Sequence, residues 1–120
     1  MDVKSREEII KFAQKLNSTN LSPLRSGNIS LKARNNNEEG FLITPSGKKY
    51  DSLKADDIVF VSLKGKYDEK GLQPSSEWRF HKDIYLKKTD AKAVVHAHSP
   101  HATAVSAHNK DIPAFHYMIA

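Results

Sequence analysis

Helical and strand periodicities alternate along this chain, and that alternation predicts a layered α/β domain. Three observations carry the prediction. Ile9, Phe12, Ala13 and Leu16 recur at i, i+3, i+4 and i+7, the spacing of one helix face. Three short runs of apolar and β-branched residues follow, separated by Asn and Gly turn signals. A second helical pattern then leads into a fourth apolar run and another helix start.

The elements follow in order. Ser5 and Glu8 are spaced as a capping box and predict the start of an amphipathic helix whose Ile9, Phe12 and Leu16 stripe lies in the core and covers a sheet. Strands are predicted around Ile29 to Ala33, Gly40 to Ile43 and Ile58 to Leu63, with turns at Asn35-Asn36-Asn37 and Gly65-Lys66. In Pro74-Ser75-Ser76-Glu77-Trp78-Arg79-Phe80-His81 two serines precede a segment in which Phe80, Ile84 and Tyr85 recur at helical spacing. The expected helix runs from Glu77 to about Lys88, with Trp78, Phe80 and Ile84 in the core. Ala93 to His96 is the next strand, and Ser99-Pro100 opens a helix to His108. There is no internal repeat, linker or low-complexity tract, and 120 residues suit one domain.

Nineteen Lys and Arg against 14 Asp and Glu give a formal net charge of +5. The basic residues are dispersed among acids and no recognition motif accompanies them, so nucleic acid is not an expected partner. Lys48-Lys49 and Lys87-Lys88 read as solvated faces, and a modest positive field suits an anionic small molecule. No cysteine is present to signal an oxidising compartment, and no membrane-length apolar run or leader is visible. The expected location is the cytoplasm, with no membrane partner.

His96-Ala97-His98 is the most informative motif. A strand alternates its faces, so both imidazoles project from the same side and form a two-ligand clamp suited to zinc. Two rings capping a strand end would give the same spacing. Glu77 in a helix's first turn can simply complement the helix dipole, but beside such a clamp a carboxylate can act as metal ligand, general base or both. Metal-assisted proton abstraction next to a carbonyl needs that set of groups. Three segments suit a phosphate: Ser26-Gly27-Asn28, Thr44-Pro45-Ser46-Gly47 and Ser75-Ser76. Each is also an ordinary turn, strand start or helix cap, and only their joint presence beside metal-type residues points to an anion site. His81, four residues after Glu77, is expected on the helix surface, with support of Glu77 as the alternative. His101 and His108 are expected to be ordinary polar positions, and His116 is open. Arg25 is either a phosphate contact or a solvated loop charge.

Ser26 to Ser30, Phe41 to Gly47, Pro74 to His81, Val94 to Pro100 and Ile112 to Ala120 resemble, in order and spacing, the class II aldolase/adducin family. The chain looks closest to the fuculose-phosphate aldolase branch, with the resemblance running from about Arg6 to the last residue. It implies a three-layer domain over residues 1 to 120, with a mixed, mostly antiparallel central sheet flanked by helices. The chain stops inside the last block, so the domain is expected to be an incomplete N-terminal portion, exposing unpaired edges and being poorly soluble or oligomerising aberrantly by itself.

The implied activity is zinc-dependent, reversible retro-aldol cleavage of a ketose 1-phosphate of the fuculose 1-phosphate type. The products are dihydroxyacetone phosphate and a short aldehyde, formed via a metal-stabilised enediolate. By resemblance His96, His98 and Glu77 are zinc ligands, with a third histidine expected beyond residue 120. Glu77 also transfers the proton, and Gly27, Asn28, Ser46, Gly47, Ser75 and Ser76 cradle the phosphate. Tyr117 is expected to reach a neighbouring subunit's site in a homotetramer and serve the aldehyde end. The family also contains pentulose-5-phosphate 4-epimerases, a thiosugar-phosphate dehydratase and the non-catalytic head of adducin, which together with a truncated pseudo-enzyme stand as alternatives.

Overall fold

Two amphipathic helices sandwich a four-stranded sheet in the computed structural model, which describes residues 2–116 and 118. The order is α1 (Val3–Ser18), β1 (Asn28–Asn35), β2 (Glu38–Ile43), β3 (Val59–Ser62), α2 (Trp78–Lys87), β4 (Ala93–His96) and α3 (Pro100–Ser106). Two short 3₁₀ turns, Tyr50–Ser52 and Ala55–Asp57, lie between β2 and β3. The strands run β3-β2-β1-β4, each pair antiparallel. No helix among the described residues is long and apolar enough to cross a membrane.

Turn chemistry sets the central hairpin. Asn35 pairs with Glu38, leaving Asn36 and Asn37 as a two-residue loop at φ 45° and 66°. Both angles lie in the left-handed region that tight hairpins demand and asparagine tolerates. Strand alternation then separates two cores. Ile29 and Leu42 face α1, where they meet Ile9, Ala13 and Leu16 together with Tyr50, Leu53 and Ile58. Phe41, Ile43, Val59 and Val61 face the other way, onto Trp78 and Tyr85 of α2. The Phe41 and Tyr85 rings stack at 5.3 Å between centroids.

Several expectations need correction. Ser5 does not cap α1: the cap is Asp2, whose carboxylate accepts from the Lys4 amide at 3.1 Å and from the Ser5 hydroxyl, so the helix begins at Val3. Phe12 is 43% exposed rather than core, because the buried line of α1 is Arg6, Ile9, Ala13 and Leu16 and Phe12 points about 100° away from Ala13. Arg6 takes a core position by donating from Nη1 to the carbonyls of Ala55 (2.9 Å) and Ile58 (2.5 Å). Phe80 and Ile84 are half-buried, and Tyr85 fills the space beneath α2 instead. His81 is fully buried, not on the surface. The last helix ends at Ser106, leaving His108 in the turn beyond it.

Candidate active site

The site forms where the start of β1, the end of β4 and the start of α2 converge. Gly27 makes the approach possible. At φ 80°, a Cβ built on it would lie 2.6 Å from the His96 carbonyl oxygen and 2.7 Å from Ser22 Oγ, so a side chain there would push β4 away. Asn28 consequently pairs directly across from His96.

Two periodicities then match. Asn28 and Ser30 are two apart on β1 and share the face toward α2, while Glu77, His81 and Tyr85 are four apart along one side of α2 and its cap. Asn28 Nδ2 donates to Glu77 Oε2 at 2.6 Å. His81 Nε2 bonds Asn28 Oδ1, and its Nδ1 lies 2.7 Å from Ser30 Oγ, which is 2.8 Å from the Tyr85 hydroxyl. Glu77 is the cap residue of α2 rather than a member of its first turn, and its carboxylate is aimed across at β1 and β4 instead of back at the helix amides.

The three expected metal ligands come together. Glu77 Oε2 lies 3.4 Å from His96 Nε2, which lies 2.8 Å from His98 Nε2, and one donor atom from each residue falls within 4.8 Å of the others. The imidazoles stand nearly perpendicular at 87°, and the Phe80 ring abuts His96 at 5.1 Å. His98 follows the end of β4, and its backbone is pinned by its amide donating to Ser22 Oγ at 3.0 Å. Two imidazoles and a carboxylate, converging on one point, are a donor set that fits zinc and also manganese, cobalt or iron.

A cleft of about 260 Å³ opens beside these donors, and Gly27, Asn28, Ser46, Gly47, Ser75 and Ser76 all line it, with Glu77 and His98 at one side. Its walls are locked by backbone bonds: the Ser46 amide donates to the Gln73 carbonyl (2.9 Å) and the Ser75 amide to the Thr44 carbonyl (3.0 Å). Those two amides are used, so Ser46 and Ser75 offer the cleft hydroxyls. Arg25 also lines it, and its Nη1 donates to the Gly47 carbonyl at 3.0 Å. Lys48 is held by Asp57 at 2.7 Å, a contact that keeps the Asp57 carboxyl below its usual range. Tyr50 forms part of the lining and donates its hydroxyl proton to the Gly27 carbonyl at 2.5 Å; burial pushes its pKa up.

Burial also sets the protonation of His81. Its pKa falls to about 4, chiefly by desolvation and secondarily by the neighbouring His96, with Glu77 opposing. His81 is therefore neutral at pH 7. Burial raises the Tyr85 phenol, which keeps its proton. Away from the site, His101, His108 and His116 are exposed, and Tyr117 lies outside the described residues. Sequence reasoning missed Ser22, Ser30, Tyr50 and Tyr85 as supports of the site. The available signal was the i, i+4, i+8 spacing of Glu77, His81 and Tyr85 opposite two polar residues in an otherwise apolar strand start.

Comparison with known proteins gives a consistent set of likenesses. The family model described as class II aldolase and adducin N-terminal domain matches residues 7–120. Over 117 residues the chain is 44% identical to the L-fuculose phosphate aldolase of Escherichia coli (strain K12), covering 98% of this chain and 52% of that protein. It is 43% identical over 118 residues to a 5-methylthioribulose-1-phosphate/5-deoxyribulose-1-phosphate aldolase of Escherichia coli O45:K1 (strain S88 / ExPEC), covering 98% and 53%. A solved L-fuculose 1-phosphate aldolase superimposes with a TM-score of 0.88 at 35% identity, over 99% of this chain and 55% of that one. The chain spans about half the length of the curated relatives it matches.

Proposed function

The chain belongs to the class II aldolase and adducin N-terminal domain family, and from that premise we propose that it serves metal-dependent, reversible retro-aldol cleavage of a ketose 1-phosphate. The products are dihydroxyacetone phosphate and a short aldehyde. One observation carries the reading: three convergent metal-type donors adjoin a cleft lined by all six phosphate candidates, and Glu77 belongs to both.

Glu77, His96 and His98 would hold a zinc ion, completed by a histidine beyond residue 120. When bound, the ion supplies Lewis-acid polarisation of the substrate's carbonyl oxygen. The chain's own residues do the rest. The hydroxyls of Ser46, Ser75 and Ser76 and the glycine-opened backbone at Gly27 and Gly47 grip the phosphate and fix the reacting end of the sugar against Glu77. In the cleavage direction the hydroxyl that becomes the aldehyde oxygen gives up its proton toward the Tyr117 end, and a protonated Glu77 delivers a proton to the carbon left electron-rich by bond breaking; in the synthetic direction the Glu77 carboxylate removes that proton and the hydroxyl regains its own. Asn28, bonded to Glu77 Oε2 at 2.6 Å, keeps the carboxylate in place for the transfer. Tyr117 serves the aldehyde end from a neighbouring subunit of a homotetramer.

Fuculose 1-phosphate is the first substrate to try. The 43% identical relative is named for 5-methylthioribulose and 5-deoxyribulose 1-phosphates, so these are the second. Both classes share the phosphate-bearing end that the cleft fits. Coupled-enzyme detection of dihydroxyacetone phosphate, with and without a zinc chelator, is the test. Chelator-sensitive release from either class supports the aldolase; no release from a protein with bound zinc shifts the reading to the family's epimerase or dehydratase chemistry.

A further inference from the structure

We propose that His81 is a positioning residue: it fixes the orientation of the Asn28 amide and so presents Glu77 to the substrate in a single pose. This rests on the reading of Glu77 as the proton-transferring group.

The hydrogen-bond directions follow from the partners and from the uncharged state that burial imposes on the ring. A carboxylate only accepts, so Asn28 turns Nδ2 toward Glu77 Oε2 and Oδ1 toward His81. Oδ1 also only accepts, so His81 carries its proton on Nε2. A neutral ring then accepts at Nδ1, which obliges Ser30 to donate there across 2.7 Å. Ser30 in turn accepts from the Tyr85 hydroxyl across 2.8 Å, and the Val94 amide donates to the Tyr85 oxygen. Every proton from Val94 to Glu77 points the same way.

Reversing one member breaks this order. A flipped Asn28 amide would set its carbonyl oxygen against the Glu77 carboxylate and two N–H donors, its own and that of His81, against each other. His81 opposes that flip, and Ser30 with Tyr85 opposes the ring flip of His81. The four supporting side chains are nearly inaccessible to water: Ser30 and His81 at 0%, Tyr85 at 1%, Asn28 at 3%. Burial keeps water from replacing a lost partner of Ser30, His81 or Tyr85, so their order is held by the protein itself. A face built only for packing would continue the Phe41, Ile43 and Val61 pattern; this line of polar groups instead ends at the carboxylate of the site.

The test compares His81→Gln, whose amide nitrogen reaches the Nε2 position, with His81→Leu, which supplies no donor. On the zinc-loaded protein, His81→Leu is expected to lower kcat for sugar-phosphate cleavage by about 10-fold or more with KM changed less than about 3-fold. His81→Gln is expected to recover most of that loss. Equal losses in both variants, or parental kcat in His81→Leu, would overturn the proposal. Glu77→Gln is the control: if it is active, the reading of Glu77 itself fails, whereas an inactive Glu77→Gln beside an unimpaired His81→Leu defeats only the positioning role. A readout free of activity and of folding defects is ¹⁵N-histidine NMR of the parent protein. His81 as a neutral Nε2–H tautomer at pH 7 supports the proposal, and an Nδ1–H or doubly protonated ring overturns it.

Discussion

The two faces of the sheet are held by different physics. Against α1 the packing is apolar, with Ile9, Ala13 and Leu16 on Ile29 and Leu42, and the buried cation Arg6 donates to the backbone carbonyls of Ala55 and Ile58. Against α2 the β2–β3 half is equally apolar, but the β1–β4 half is polar, a line of Asn28, Ser30, His81 and Tyr85 that reaches Glu77. Area burial dominates the first face and saturation of hydrogen bonds the second. The difference teaches that apolar packing and the polar site are drawn from opposite sides of β1, so substitutions should separate them.

The largest effect expected on the polar side alone is that of Glu77→Gln. It should lower turnover by about 10²- to 10⁴-fold, the usual contribution of a positioned proton-transfer group, while zinc remains bound and the melting temperature moves little. Turnover, metal content and a thermal melt on one preparation check it; undiminished activity would remove Glu77 as the base. The mirror-image break is Ile9→Ala, at a residue 1% exposed on the α1 face. A cavity there should cost about 2–5 kcal/mol in denaturant unfolding. Zinc affinity of the folded fraction should be unchanged, and a parallel fall in affinity would show that the two faces are not separable.

Gly27→Ala tests the point where the faces meet. The added Cβ would collide with the His96 carbonyl oxygen and Ser22 Oγ at a backbone angle unfavourable to side chains. The strain should cost about 1–3 kcal/mol and, unlike Ile9→Ala, weaken zinc binding as well, because His96 and the Ser22 anchor of His98 shift with β4. Isothermal titration with zinc beside a urea melt would show both losses or refute the shared hinge.

How much of this was legible in the sequence follows the same division. The alternation of β1, the apolar runs of β2 and β4, the Asn36-Asn37 turn and the closeness of His96 to His98 all depend on local spacing, and the structure has them where the spacing puts them. The gathering of the Gly27, Ser46 and Ser75 segments into one cleft needed the five-block resemblance, since each segment alone is an ordinary turn or cap. His81 was misread because a polar residue on a helix is ordinarily solvated; only the register of α2 against Asn28 and Ser30 makes it interior. Phe12 was misread in the opposite sense. Its apolarity suited the stripe, but the buried line continues from Arg6, whose two backbone carbonyl partners lie 49 and 52 residues away and cannot be read locally.

The smallest effect expected is a pH dependence confined to the polar face. His81 has an ordinary pKa of 6.5 and a folded value of about 4. Its folded pKa is depressed, so its neutral burial contributes stability that is complete above pH 6.5. As pH falls below that value the unfolded chain takes up a proton that the folded chain refuses, and stability is lost until the folded ring titrates near pH 4. Between pH 7 and pH 5 the linkage amounts to about 2 kcal/mol. Urea unfolding of metal-free protein at the two pH values should show that loss in the parent and not in His81→Gln, whose amide does not titrate. Every other titratable side chain is common to the two proteins, so the difference between their slopes reports the ring. Identical slopes would mean that His81 is not held neutral in the folded protein, and the polar face would then owe its order to something other than a chain of single-proton donors.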